Sequence, residues 1–131
     1  MGIESLSRGA SHAVFVDKSR DSISVIKANL EHTKFSDSAE IYNTDAYNAI
    51  QKLANRGFTF DIIFLDPPYK MNIIPKTLEL ISQYGILSEK GIIIAEHYVD
   101  DELPDSIYDL TLFDRRKYRE TLMSMYRRNS I

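Results

Sequence analysis

The chain has 131 residues, a formal net charge of −3 and no cysteine. This length suits one core-forming domain, and we predict a single domain over residues 1–131. The lack of cysteine excludes disulfide bonds and thiolate metal sites, and it favours a reducing cytoplasm as the place of action. No apolar run approaches the roughly 18 residues that a membrane span needs, so we expect no membrane partner.

The first half of the chain alternates predicted helices and short strands. Residues 2–8 are interpreted as the end of a helix, and residues 13–16 as a short apolar strand. Ser19 can cap a second helix, residues 39–43 form the next predicted strand, and a third helix closes near Gly57. The apolar faces of these last two helices are formed by Ile23, Ile26 and Leu30, and by Ala46, Ala49, Ile50 and Leu53.

The second half continues the alternation. Residues 60–65 are apolar almost without interruption, which predicts a strand covered on both faces. Asn72 can cap a helix, and residues 92–95 form another buried strand. Two further strands are predicted at residues 108–113 and 121–126. The apolar face of the helix is formed by Ile74, Leu78 and Ile81, with Gly85 just beyond it. This order implies an α/β fold with a doubly wound parallel sheet, to which the final strands add an antiparallel strand.

The strand at residues 60–65 leads directly into Asp66, Pro67, Pro68 and Tyr69. Each proline fixes its own φ near about −65° and removes a backbone N–H, and Pro68 also holds Pro67 extended. The tetrapeptide is therefore stiff before any ligand binds. A structural alternative is that Asp-Pro-Pro merely ends the strand sharply.

A rigid carboxylate beside an aromatic ring suits the chemistry of a nucleobase amine. The nitrogen lone pair of such an amine is delocalised into the base, so the amine is a poor nucleophile. The carboxylate of Asp66 and a backbone carbonyl of the Pro67-Pro68 turn can accept both amine hydrogens and favour the pyramidal nitrogen that attacks an electrophile. The ring of Tyr69 can stack on a base that is flipped out or presented unpaired.

This tetrapeptide resembles the (Asp/Asn/Ser)-Pro-Pro-(Tyr/Phe/Trp) signature of S-adenosylmethionine-dependent methyltransferases that act on nucleic-acid amines. Residues 2–10, 14–19 and 118–122 narrow the resemblance to the RsmD-like family, which methylates a guanine amine of small-subunit (16S) ribosomal RNA in bacteria. The resemblance covers nearly the whole chain. It implies a Rossmann-like class I methyltransferase fold, S-adenosylmethionine as cofactor, and ribosomal RNA as partner, free or within an assembling small subunit.

Members of this family have a first strand and a glycine-rich loop before the helix at residues 2–8, and the loop holds the methionine part of the cofactor. This chain begins inside or just after that loop. The missing strand would lie between the strands at residues 14–16 and 62–65. We therefore expect the sequence to be part of a longer protein in which Met1 is internal.

Acidic residues follow three predicted strands, at Asp17, Asp45 and Asp66. In doubly wound sheets, ligands bind beyond the carboxyl ends of the strands. The resemblance implies that Asp17 binds the ribose hydroxyls of the cofactor, and that Asp45 receives the adenine amine while Ala46 supplies a backbone N–H. The alternative for either aspartate is a helix cap.

Positive charge is concentrated at the end of the chain. Residues 115–131 contain six basic residues and one acidic residue, so they carry +5 and the remainder carries −8. The basic residues are Arg115, Arg116, Lys117, Arg119, Arg127 and Arg128. With Tyr118 and Tyr126 interleaved, this predicted hairpin can contact phosphates and stack on bases, and we name Arg115, Arg116, Lys117 and Arg119 as candidate RNA contacts. The alternative is a solvated hairpin face.

The remaining polar residues give weaker signals. His12, His32 and His97 are scattered without ligand spacing, so we predict no metal site. Glu96 and His97 can line a substrate opening or simply end a strand. Two functional alternatives stay open: methylation of an adenine or DNA amine, and a non-catalytic RNA-binding module that lacks the cofactor loop.

Overall fold

The computed structural model describes residues 12–17, 19–34, 39–65, 73–99, 101 and 103–129. The chain divides into two compact units, residues 1–49 and residues 50–131, and each is described by itself. The assignment of a single domain stays a prediction. The predictions made for residues 2–8, for the cap at Asn72 and for the Asp-Pro-Pro-Tyr segment lie outside the described residues.

The first unit contains a parallel strand pair joined by a helix. Its elements are β1 (Ala13–Val16), α1 (Arg20–Thr33), β2 (Ala39–Tyr42) and the beginning of α2 (Ala46–Asn55). The two strands pair in parallel, from Ala13 opposite Ala39 to Val16 opposite Tyr42. A helix that connects parallel strands is the crossover unit of α/β proteins, so the predicted alternation is confirmed here.

Local sequence explains where α1 begins and ends. The Ser19 hydroxyl accepts a hydrogen bond from the Ser22 N–H at 3.3 Å, which confirms Ser19 as the helix cap. The helix ends at Lys34, whose φ of 64° is left-handed. Ile23 and Leu30 are buried, as their spacing on one helical face predicts.

The second unit contains a five-stranded sheet and one complete helix. Its elements are β3 (Phe60–Leu65), α3 (Ile73–Tyr84), β4 (Leu87–Tyr98), β5 (Ser106–Ile107), β6 (Leu110–Tyr118) and β7 (Thr121–Arg128). The strand order is β3-β4-β7-β6-β5. β3 and β4 are parallel, whereas β7 is antiparallel to both β4 and β6. The α/β fold with an antiparallel addition at its C-terminal end is therefore confirmed.

The core of this unit is made by one face of the sheet and by α3, which contacts β4 and β5. The large side chains that are fully buried include Leu78 and Ile81 of α3, Ile93 of β4, Leu110 of β6 and Tyr126 of β7. Burial of each aliphatic side chain contributes about 1.5–3 kcal/mol to folding. The predicted face of α3 is confirmed.

The expectation that the strand at 60–65 is covered on both faces is wrong at one position. Ile62 is 55% exposed. β3 is the edge strand of its sheet, and β4 is its sole strand partner within the described part of the chain. An edge strand has a neighbour on one side only, so its side chains lack the flanking cover of an inner strand. The first strand that the family resemblance predicts would lie beside β3 on this side.

Several strand boundaries also differ from prediction. β4 begins at Leu87, five residues before the isoleucine run. The strand extends this far because Leu87 pairs with Phe60 of β3. The register then shifts, and a Cβ at Gly91 would lie 2.9 Å from the Phe60 carbonyl oxygen, so glycine fits this close approach. β6 begins at Leu110 because Tyr108 has a left-handed φ of 52° in the turn after the short β5.

Candidate functional site

In the first unit, Asp17 lies directly after β1, as the sequence predicts. Its backbone N–H donates to the carbonyl oxygen of Tyr42 at 3.1 Å, and the Asn43 side-chain amide donates to the carbonyl oxygen of Asp17 at 3.0 Å. These two bonds join the carboxyl ends of β1 and β2. The role of Asn43 was not predicted, although its position immediately after β2 offered a signal.

Among the described residues, one of the two oxygens of the Asp17 carboxylate accepts a hydrogen bond. Its Oδ1 accepts a hydrogen bond from the Ser19 N–H at 2.8 Å. Its Oδ2 has no hydrogen-bond partner among the described residues, and the side chain is half-buried. A carboxylate held by one backbone donor, with its second oxygen available, can accept hydrogen bonds from hydroxyl groups of a ligand.

Asp45 caps α2, which is the structural alternative raised for it. Its Oδ1 accepts from the Asn48 N–H at 2.8 Å, and its Oδ2 accepts from the Asn48 side-chain amide at 3.2 Å. Each carboxylate oxygen has two lone pairs, so each of the two oxygens can still accept one further donor. Ala46 is the first residue of α2, where helix geometry supplies no internal acceptor for its N–H.

These groups are of the kinds that the predicted binding of an adenosine requires. Asp17 offers an acceptor for ribose hydroxyls, Asp45 an acceptor for an amine, and Ala46 a donor for a ring nitrogen. All three lie at the carboxyl ends of the parallel pair β1–β2 or in the turn that follows it. Their assignment as cofactor residues stays a prediction. The same holds for Asp66, Pro67, Pro68 and Tyr69, which lie outside the described residues.

In the second unit, the basic residues predicted to contact RNA lie on β6 and on its turn to β7, and they differ in their pairing. The Arg116 Nε lies 3.2 Å from the Asp114 carboxylate. The guanidinium of Arg119 lies 5.5 Å from the ring centroid of Tyr118, which is 71% exposed. Lys117 is exposed. The predicted basic hairpin is therefore confirmed as a structure, and its contact with RNA stays a prediction.

Tyr126 cannot stack on a base, contrary to the expectation from sequence. Its side chain is fully buried, and its hydroxyl donates to the Pro104 carbonyl oxygen at 2.6 Å. Burial raises the pKa of Tyr126 to about 12, so the hydroxyl remains a donor at neutral pH. Tyr126 lies opposite Ile93 and Leu112, and strand alternation therefore directs it into the core.

His97 lies one residue before the end of β4, in agreement with the alternative that it ends a strand, and its side chain is buried. It is 5% exposed inside β4, and its Nε2 lies 2.7 Å from the hydroxyl of the fully buried Ser124 on β7. Burial lowers the pKa of His97 below its usual 6.5; the Tyr98 carbonyl raises it and the charge of Arg115 lowers it. No sequence spacing links His97 with Ser124, because only strand register brings them together.

The depressed pKa of His97 predicts a loss of stability in acid. Above the unfolded pKa of 6.5 the ring is neutral in both states, and its full contribution is present. As the pH falls toward the lower folded pKa, the unfolded chain binds the proton first. The free energy of unfolding then falls by up to about 1.4 kcal/mol per pH unit. Urea unfolding between pH 7.5 and 5 should show a steeper loss for the wild type than for His97→Gln. Equal slopes would contradict this, since His12 and His32 are common to both proteins.

The described residues contain no group of three or more His, Asp or Glu side chains that could hold a metal ion. None of the helices described is long and apolar enough to cross a membrane.

A parallel α/β arrangement with acidic residues at successive strand ends is typical of the Rossmann-like enzymes that bind adenosine cofactors, among them the S-adenosylmethionine-dependent methyltransferases. The family model described as Conserved hypothetical protein 95 matches residues 1–127. The chain belongs to this family, and the resemblance to the RsmD-like methyltransferases is confirmed.

Two relatives have names that describe an activity. "Putative rRNA methyltransferase YlbH" of Bacillus subtilis is 39% identical over 128 residues, which are 98% of this chain and 70% of that protein. Ribosomal RNA small subunit methyltransferase D of Escherichia coli K12 is 27% identical over 130 residues, which are 99% of this chain and 64% of that protein. The chain thus spans about two thirds of the length of these relatives.

Solved structures share the fold. A conserved hypothetical protein of Streptococcus pyogenes is 31% identical with a TM-score of 0.88, over 97% of this chain and 78% of that one. A protein of Haemophilus influenzae described as a "putative methylase" is 25% identical with a TM-score of 0.85, over 98% of this chain and 80% of that one. The SAM-dependent methyltransferase of Agrobacterium tumefaciens is 21% identical with a TM-score of 0.67, over 96% of this chain and 52% of that one. At this identity the likeness shows the fold alone.

Proposed function

We propose that the protein transfers a methyl group from S-adenosylmethionine to the exocyclic amine of a guanine in small-subunit ribosomal RNA. The observation that carries this proposal is the family match over residues 1–127, a range that contains the Asp-Pro-Pro-Tyr tetrapeptide. The names of two relatives, an rRNA methyltransferase and a small-subunit rRNA methyltransferase, support the choice of substrate.

The first unit would bind the adenosine. S-adenosylmethionine supplies an electrophilic methyl group on its sulfonium when it is bound. Asp17 would accept hydrogen bonds from the ribose hydroxyls through its available Oδ2. Asp45 would accept from the adenine amine, and the Ala46 N–H would donate to the adjacent ring nitrogen. The bond between Asn43 and the Asp17 carbonyl would hold these groups at a fixed separation.

The Asp-Pro-Pro-Tyr tetrapeptide would orient the target amine. Asp66 and a carbonyl of the Pro67-Pro68 turn would accept the two amine hydrogens and aim the nitrogen lone pair, while Tyr69 would stack on the flipped base. The amine nitrogen is cationic and acidic once it is methylated. It can therefore lose its proton after the transfer, and no strongly basic side chain is needed.

The basic hairpin would bind the RNA around the target. Arg115, Arg116, Lys117 and Arg119 are the candidate phosphate contacts, and the exposed ring of Tyr118 can stack on an unpaired base. This set combines positive charge with an exposed aromatic side chain, which is the combination that single-stranded nucleic acid requires.

A substrate comparison tests the proposed function. The full-length protein is incubated with radiolabelled S-adenosylmethionine and, in parallel, with unmodified small-subunit rRNA, assembled small subunits and DNA. We expect label in at least one of the two rRNA substrates, recovered as N2-methylguanosine after digestion to nucleosides. Label in DNA, or in adenine, would mean that the proposed target is wrong and that the labelled base is the substrate. Absence of both label and calorimetric cofactor binding would favour the non-catalytic RNA-binding module.

A further inference from the structure

A chain of three hydrogen bonds leads from the core of the second unit to the basic hairpin. The His97 Nδ1 lies 2.9 Å from the Tyr98 carbonyl oxygen, and its Nε2 lies 2.7 Å from the Ser124 hydroxyl. The Nε–H of Arg115 donates to the same hydroxyl at 3.2 Å. His97 and Ser124 are buried, whereas Arg115 is exposed, so the chain runs from the interior to the surface.

The direction of each hydrogen bond follows from its partners. A carbonyl oxygen only accepts, so His97 carries its proton on Nδ1 and its neutral Nε2 is an acceptor. Ser124 therefore donates its hydroxyl proton to Nε2 and keeps its lone pairs for Arg115. Because the Ser124 hydroxyl is uncharged, it holds the guanidinium of Arg115 without neutralising its charge.

Arg115 is held differently from the other arginines of the hairpin, among which Arg119 and Arg127 place their guanidinium groups over the rings of Tyr118 and Phe113. Arg116 pairs with Asp114 and Arg128 pairs with Asp109, both at 3.2 Å. Arg115 has no acidic side-chain partner in the part of the chain that the structure describes; its backbone N–H alone reaches the Asp114 carboxylate. Its Nε is held by Ser124, which leaves the two terminal nitrogens of the guanidinium for a ligand.

We propose that Arg115 is the positioned phosphate contact of the hairpin, and that Ser124 and His97 are positioning residues that fix its guanidinium for RNA. This inference rests on the proposed function, which supplies RNA as the substrate. A guanidinium presents its donors in a planar fork that matches two phosphate oxygens. Fixing the side chain before binding avoids the cost of immobilising it, which corresponds to about two- to tenfold in affinity.

A charge-matched pair of variants tests the contact. Binding of unmodified, radiolabelled small-subunit rRNA to the full-length protein is measured by filter binding at several salt concentrations. Arg115→Ala should weaken binding about tenfold and lower the salt slope by about 1. Arg128→Ala removes the same charge from another arginine of the hairpin, which is paired with Asp109 and is not among the candidate RNA contacts, and we expect a loss below about threefold. Equal losses in both variants, or none for Arg115→Ala, would overturn the assignment.

A double-mutant cycle tests the positioning role. Ser124→Ala should weaken RNA binding about threefold to fivefold in the wild type, because Arg115 must then be ordered on binding. In the Arg115→Ala background the same substitution should have no further effect. An equal loss in both backgrounds would mean that Ser124 acts through general stability, and the positioning role would be rejected. Melting curves confirm that each variant is folded at the assay temperature.

The wild type separates failure of this inference from failure of the proposed function. If the wild type neither binds nor methylates the rRNA, the proposed function fails and the inference fails with it. If the wild type does both and Arg115→Ala binds as tightly, only the inference is wrong.

Discussion

Asp66→Ala is expected to reduce methyl transfer to rRNA by about two to three orders of magnitude, while affinity for S-adenosylmethionine stays nearly unchanged. The lost carboxylate would accept a hydrogen of the target amine as its nitrogen becomes pyramidal, and removing one such aligned group from an active site typically costs about 10²–10³ in rate. The adenosine is assigned to other residues, Asp17, Asp45 and Ala46, so its binding should survive. Single-turnover transfer of radiolabelled methyl and calorimetric titration of the cofactor measure the two quantities.

Two other aspartates provide controls for this prediction. Asp61 lies five residues upstream, in β3, where its carboxylate accepts from the Ser88 hydroxyl at 2.8 Å in an exposed position. Asp61→Ala should leave turnover within about twofold of the wild type, as is usual for surface substitutions. Asp17→Ala should show the opposite pattern, with cofactor affinity about tenfold weaker. Retained turnover in Asp66→Ala would refute its role.

Local signals in the sequence predicted most elements of the fold. A capping serine at position 19, with Ile23 and Leu30 on one helical face, predicted the beginning and the buried face of α1. Leu78 and Ile81 did the same for α3. These signals work because capping and amphipathic spacing act within a few residues of the chain.

Features that depend on strand register were not predictable in the same way. Ile62 and Ile93 lie in similar apolar runs, yet the first is 55% exposed at a sheet edge and the second is fully buried. The pairing of His97 with Ser124 joins residues 27 positions apart, and only the antiparallel pairing of β4 with β7 brings them together. Strand order and register are set by contacts distant in sequence, for which no short motif exists.

The candidate site likewise combines residues that the sequence could point to and contacts that it could not. Asp17 and Asp45 were predicted to bind the cofactor from the family resemblance and from their positions after parallel strands, at the edge of the sheet where ligands bind. The basic residues of the hairpin were recognised from composition. Composition could not show that Arg116 pairs with Asp114, whereas Arg115 is held by Ser124. Charge can be counted from a sequence, whereas the pairing of charges requires the structure.

Tyr126→Ala is expected to lower the free energy of unfolding by about 3–5 kcal/mol. The ring is fully buried between β4 and β6, opposite Ile93 and Leu112, so truncation would leave a large cavity in the core of the second unit. It would also leave the Pro104 carbonyl without its hydroxyl donor. Tyr126→Phe removes only that hydrogen bond and should cost about 1 kcal/mol. Urea unfolding measures the free energy of unfolding of the wild type and of the two Tyr126 variants.

Tyr118 is the matched control, because it is a tyrosine of the same hairpin with its side chain 71% exposed. Tyr118→Ala should change the free energy of unfolding by less than about 0.5 kcal/mol. If its ring stacks on an unpaired base, the same variant should lose about 1–3 kcal/mol of RNA binding energy. The two tyrosines would then separate cleanly, one affecting stability and the other RNA affinity. A stable Tyr126→Ala protein would contradict the buried position that strand alternation gives this side chain, and would return Tyr126 to the candidate RNA surface.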